Sequence, residues 1–157
     1  MIRLSSRIVQ ETLAFALSLR YTETYFREVM AVKPLLLCIH MEKERALRLS
    51  FLAMSLGVRV KLVSEAQQGQ RLAALCGLEE EAPAPPAAAV GQEMLVLAFF
   101  EDAQIDRLLA ALRGSGLGPV ALKAVLTEHN RAWDCGRLYR ELSMEAAAFA
   151  ARGEESK

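Results

Sequence analysis

Net charge is what this sequence lacks most plainly. Its 19 Lys and Arg residues are matched by 19 Asp and Glu, whereas a protein that grips nucleic acid by counterion release carries a basic excess on one face. Nucleic acid is therefore not among the expected partners. Long apolar runs are missing too. The longest near the N-terminus, residues 13–19, falls far short of the roughly 20 residues a membrane helix needs, and no convincing small-residue cleavage site follows it. No membrane association is expected. Cysteine is scarce: Cys38, Cys76 and Cys135 form an odd set without a C-x-x-C pair, which argues against a disulfide framework and a zinc knuckle and fits a reducing cytoplasm. The two histidines, His40 and His129, stand in no ligand motif, so no metal or other cofactor is expected. Phosphate-binding signatures are absent as well. Neither G-x-G-x-x-G nor Gly-Lys-Ser/Thr follows an apolar run, and the Gly114 to Gly118 cluster trails a helix, where it reads as a cap and turn.

What is present is said twice. Leu35-Leu36-Leu37-Cys38-Ile39-His40, a helical stretch and Val58-Arg59-Val60-Lys61-Leu62-Val63 are echoed by Leu95-Val96-Leu97-Ala98-Phe99-Phe100, a second helical stretch and Val120-Ala121-Leu122-Lys123-Ala124-Val125. At 157 residues such a chain buries roughly 68–70% of its unfolded surface, so no staple is required.

The spacing divides the chain into segments. Residues 1–29 read as an N-terminal helix, with Ile8, Phe15, Leu19, Phe26 and Val29 at helical spacing. A competing reading treats them as an upstream mis-start with the native protein beginning at Met30, because Arg27-Glu28-Val29-Met30 is what a purine-rich ribosome-binding sequence and a start codon encode. Residues 30–78 form the first strand-helix-strand-helix repeat, its first helix over 42–56 and its second over about 71–76. Residues 79–92 (EEEAPAPPAAAVGQ) are expected to be an extended linker that neither packs nor pairs. Residues 93–150 form the second repeat, and 151–157 a frayed tail. The last helix starts near Asp134, with Trp133 stapling onto Leu138.

The first strand of each repeat is continuously apolar, as in a strand covered on both faces. The second carries a lysine, Lys61 or Lys123, a device that blunts an edge. The expected fold is α/β, a four-stranded mostly parallel sheet of order 2-1-3-4 with helices on both faces; a ferredoxin-like α+β arrangement is the alternative. Ligands of open α/β sheets collect where winding reverses. That switch point is expected to gather His40, Met41 and Glu42 with Phe99, Phe100, Glu101 and Asp102, and Thr127 and Asn130 from the loop after the last strand. His40, Phe99, Phe100, Thr127 and Asn130 are thus the candidate ligand-binding residues. Trp133, Lys123 and Lys61 are the candidate interaction residues, the two lysines also offering a symmetric pair for an anion. Cys38 and His40, two apart on a strand, make a conceivable nucleophile and base without a third orienting group.

Leu122-Lys123-Ala124-Val125-Leu126-Thr127, Asn130, Trp133 and Leu138 to Leu142 carry a family resemblance. The segment from about Glu93 to Leu142 resembles the uncharacterised bacterial family catalogued as domain of unknown function 3783. The first repeat is similar to the N-terminal half of such proteins through Gly69-Gln70 and Leu75-Cys76-Gly77-Leu78. Where that family places a Thr cap and a Glu three residues on, this chain has Asp134 and Arg137, which implies loss of the reciprocal capping box. The resemblance implies no reaction.

These readings converge on a small soluble cytoplasmic protein, a non-enzymatic interaction or regulatory module whose partner is another protein or a second copy of itself. A small-metabolite sensor with its site at the switch point is the alternative. A Cys38–His40 enzyme is the third reading.

Overall fold

The structure, a computed structural model, describes residues 33–155. The expectations for residues 1–29 lie outside the described residues. From Pro34 the chain runs through β1 (Leu35–Ile39), α1 (Lys43–Ser55), β2 (Arg59–Val63), a 3-10 turn (Glu65–Gln67) and α2 (Leu72–Leu75). It continues through β3 (Met94–Ala98), α3 (Asp102–Gly114), β4 (Leu122–Val125) and α4 (Cys135–Glu155).

The sheet order is β2-β1-β3-β4, with the apolar strands central and the lysine-bearing strands at the edges. β1 pairs β2 in parallel and β3 pairs β4 in parallel, while β1 and β3 run antiparallel. Two of three ladders are therefore parallel. A ferredoxin-like sheet inserts another strand into each β-α-β pair, and the direct β1–β2 and β3–β4 ladders exclude it.

Because side chains alternate along a strand, continuous apolar runs feed two cores. Leu35, Leu37, Ile39, Met94, Val96 and Ala98 meet α2 and the start of α4 on one face. Leu36, Cys38, Leu95 and Leu97 meet α1 and α3 on the other. Leu49 and Leu108, at matching places in their 13-residue helices, are the large buried side chains that α1 and α3 give to the second core. Fully burying each contributes on the order of 1.5–3 kcal/mol.

Register corrects one expectation. Lys61 lies opposite Leu37, but Lys123 lies opposite Leu95, so the two lysines leave the sheet on opposite faces and cannot form a symmetric anion pair. The cause is the approach to β4: Val58 alone separates Gly57 from β2, whereas residues 117–121 separate Gly116 from β4. Lys61 Nζ donates to the Leu75 carbonyl at 3.2 Å and pairs with Glu81 at 3.4 Å. Lys123 Nζ donates to the Val120 carbonyl at 2.5 Å.

The 79–92 segment forms neither helix nor strand, yet it both packs and pairs. The Gln70 carboxamide donates to the Ala82 carbonyl at 2.5 Å and accepts from the Ala82 N–H at 3.0 Å. Farther along, Pro85 lies against Gly69 and Ala88 against Gly136, where no side chain intervenes, and Val90 is buried. The absence of Cβ atoms is what lets this strand-less backbone approach so closely.

α4 begins as expected. Asp134 Oδ1 accepts from the Arg137 N–H at 2.8 Å, a cap that survives without the reciprocal box. At 21 residues the helix is about 30 Å long, against about 17 Å for a five-residue strand. It therefore overhangs the sheet, and its residues 144–153 are exposed.

Candidate functional site

The antiparallel β1–β3 pair decides where ligand chemistry can gather. Leu35 faces Ala98 and Ile39 faces Met94, so the C-termini of the central strands lie at opposite ends of the sheet, about 13 Å apart along the strands. His40 therefore sits at one end of the sheet, while Phe99 and Phe100 sit at the other with Thr127 and Asn130. The single switch point expected from the sequence is two separate strand ends. The connector explains this. From β2 it returns through α2 and residues 79–92 to the end of the sheet it left, and β3 must then run back against β1.

The two ends share a backbone form. Each central strand stops at a residue in the left-handed region, His40 at φ 55° and Phe99 at φ 66°, which costs a residue other than glycine about 1–2 kcal/mol. Each then passes a glutamate at the helix N-cap, Glu42 or Glu101. From there they differ.

At the β3 end the backbone is closed. Gln104 Oε1 accepts from the Glu101 N–H at 2.8 Å, and the Glu101 carbonyl accepts from the Gln104 and Ile105 N–H groups at 3.0 Å each. Phe99 packs on one core and Phe100 on the other. Asn130, buried, spends its side chain on the loop: Oδ1 accepts from the Thr127 N–H at 2.9 Å and Nδ2 donates to the Val125 carbonyl at 2.9 Å. The Thr127 hydroxyl accepts from the Asn130 N–H at 3.2 Å. These side chains latch a turn, and little of their polarity is left for a ligand.

At the β1 end the corresponding residue is Arg45, and it turns away. Its guanidinium donates to the Leu117 carbonyl, reaches the Gly118 and Pro119 carbonyls at 3.3 Å each and pairs with Glu93 at 2.9 Å. Glu42 supplies no side-chain cap to α1, and its carbonyl accepts from Ala46 alone at 2.9 Å. Beside the N-terminus of α1 lies a cavity of about 580 Å³, bounded by His40, Met41, Glu42 and Lys43 on one side and by Leu62 to Glu65 and Gln68 on the other. Gln68 is only 8% exposed. Its N–H donates to the Glu65 carbonyl at 3.2 Å and its carbonyl accepts from the Cys135 N–H at 3.0 Å. Its side-chain amide has no partner among the described residues. Neither Gln68 nor Arg45 stood out in the sequence. The contrast between Glu42-x-x-Arg45 and Glu101-x-x-Gln104 was the signal that could have found this end.

Cys38 and His40 do not form a pair. The strand stops at Ile39, the left-handed turn redirects His40 outward, and Cys38 is fully buried in the α1–α3 core. Burial, helped by the charge of Glu93, pushes the Cys38 thiol up to about 12, far from the range in which a thiolate attacks. Among the described residues no three His, Cys, Asp or Glu side chains gather as a metal site, and no helix is long and apolar enough to cross a membrane.

Trp133 is half-buried against the α2–α4 core. Its ring takes the edge of His129 at 5.2 Å and the Arg137 guanidinium at 4.7 Å, a strut more than an exposed anchor. The apolar surface lies elsewhere. Leu47, Phe51 and Met54, spaced along the outer face of α1, are 57%, 64% and 70% exposed.

No curated protein and no solved structure matches the chain. Residues 93–149, which run from the residue before β3 into α4, match the family model described as Domain of unknown function (DUF3783), in agreement with the resemblance carried by Lys123, Asn130 and Trp133.

Proposed function

We propose that this chain is a non-enzymatic, contact-acting regulatory module that works in the reducing cytoplasm by pairing with a second copy of itself through α1. The carrying observation is the exposed Leu47-Phe51-Met54 stripe. A helix that buries Ala46, Leu49 and Ala53 inward has no folding reason to be apolar outward, and outward apolar patches mark interaction sites. The stripe is self-complementary. Two copies of α1 set antiparallel about an axis between Ser50 and Phe51 bring Leu47 of one onto Met54 of the other, with no like charges opposed. Three side chains cover less than the roughly 800 Å² per partner of a standard interface, so the pairing is reversible. Three buried thiols without a disulfide fit the proposed compartment.

Sedimentation velocity over a concentration series tests this. The full chain is expected to show a monomer–dimer equilibrium that Phe51→Glu abolishes with its circular dichroism unchanged. A wild type that stays monomeric throughout, or a variant that associates equally well, contradicts it.

The cavity beside Gln68 favours a second reading, in which the module binds a small metabolite, at the β1 end instead of between the central strands.

A further inference from the structure

We infer that the groove between α3 and β4 binds a free fatty-acid anion of medium chain length. The groove consists of two cavities, about 530 Å³ and about 130 Å³, that share Leu109 and Lys123 as walls. The larger falls within the usual range of small-ligand sites. The approach to β4 creates the space. In the first repeat the Val58 N–H returns directly to the Ala53 carbonyl at 2.9 Å, which closes α1 onto β2. In the second, residues 117–121 intervene before β4, and Arg45 fixes their loop through the Leu117, Gly118 and Pro119 carbonyls. Along the groove, apolar side chains are left only partly covered. Ile105, Leu109 and Leu112 of α3 are half-buried and Val125 is 44% exposed. The smaller cavity has no polar side chain but Lys123, which suits a hydrocarbon tail. Arg113 and Ile105 lie about 12 Å apart along α3, the span of a medium-length chain.

The polar end of the groove is cationic. Arg113 and Lys123 line the larger cavity, and among the described residues no Asp or Glu lines either one. Arg113 has no hydrogen-bond or ion-pair partner among the described residues. Lys123 Nζ donates to the Val120 carbonyl at 2.5 Å and keeps two donors in hand. The carbonyls that would repel a carboxylate here are already taken. Those of Leu117, Gly118 and Pro119 accept from Arg45, that of Val120 from Lys123, and that of Leu112 at the end of α3 from the Ser115 N–H and hydroxyl. Two cations beside an apolar wall answer a carboxylate that carries a tail. A peptide strand is the poorer occupant. The Val125 carbonyl, on the open edge of β4, is occupied by Asn130 Nδ2 at 2.9 Å, so the ladder that strand addition needs is blocked.

Isothermal titration of the full chain with sodium decanoate below its micelle concentration tests this, beside sodium octanoate, sodium acetate, decyltrimethylammonium bromide and a tetraleucine peptide with a free C-terminus. Decanoate is expected to saturate a single site, and octanoate to bind about ten-fold more weakly for its missing methylenes. Acetate and the cationic surfactant are expected not to saturate. The double variant Arg113→Gln, Lys123→Gln, at exposed positions, is expected to weaken decanoate binding by at least about ten-fold with its circular dichroism unchanged. Val125→Glu, which sets a carboxylate against the tail, is expected to weaken it as well. Equal affinity for decanoate and the cationic surfactant overturns the anion, and acetate binding as tightly as decanoate overturns the tail. Tighter binding of the peptide, unchanged affinity in the double variant, or no binding of decanoate overturns the proposal outright.

Discussion

Each cysteine of this chain is a buried thiol without a disulfide, and that single fact shapes its chemistry and its response to pH. Burial raises the thiols from 9.0 to about 12 for Cys38 and Cys135 and to about 11 for Cys76. Glu93 adds to the rise at Cys38 and Asp134 to that at Cys135, while Lys61 and Arg59 oppose it at Cys76. In the unfolded chain these thiols ionise near pH 9; in the folded chain they stay protonated. Above that pH the unfolded state binds fewer protons, so stability is complete below pH 9 and declines as pH rises toward 11. Three thiols together give a slope of about 4 kcal/mol per pH unit. Urea unfolding as a function of pH is expected to show it, and Cys135→Ser to reduce the slope by about a third. Iodoacetamide is expected to label none of the three until the protein unfolds; rapid native labelling of Cys38 would restore the enzyme reading. The buried character of Cys38 was legible in its apolar run. The misplacement of His40 was not, because alternation along a strand says nothing of where the strand stops.

Among the elements, strands and helices followed from the sequence closely. Continuous apolar runs became central strands, the second helical stretch, with Ile105, Leu108, Leu109 and Leu112 at helical spacing, became α3, and Gly57 and Gly116, at φ 72° and 76°, end their helices in a conformation that favours glycine. What composition hid was the tethering of residues 79–92. Pro and Ala content predicts an extended chain but not that glycines on distant elements would seat it. A Cβ on Gly136 would meet Ala88 N at 2.8 Å, so Gly136→Ala is expected to cost about 1–3 kcal/mol. Gly114→Ala, with open space around it, is expected to stabilise α3 by up to about 1 kcal/mol. Equal melting temperatures for these two variants would contradict the strap. Arg45 clasps α1 to Glu93 and the loop before β4, and its loss in Arg45→Met is expected to cost about 1–3 kcal/mol in denaturant unfolding. The same clasp takes Arg45 away from its own helix end. Stability across the sheet is thus obtained by leaving the α1 N-terminus open.

For the molecule as a whole, strand order was readable and strand direction across the middle was not. Lysines marked the edges and apolar runs the centre, which narrows the order to 2-1-3-4 or its ferredoxin-like alternative, and the direct β1–β2 and β3–β4 ladders decide for the first. The β1–β3 direction depends on which end of the sheet a long connector returns to, and neither periodicity nor composition reports that. The antiparallel result splits the expected site into two ends and pairs Leu37 with Val96 at the sheet centre. One end is packed shut, the other holds a cavity, and α1 presents an apolar stripe to solvent. Function on this account comes from contact at α1. The most direct test is disulfide trapping between Leu47→Cys and Met54→Cys chains, since the native thiols are buried and do not compete. Under mild oxidation, covalent dimer is expected in the mixture of the two variants and not in either alone. Equal crosslinking in the separate solutions, or none in the mixture, would contradict pairing through α1.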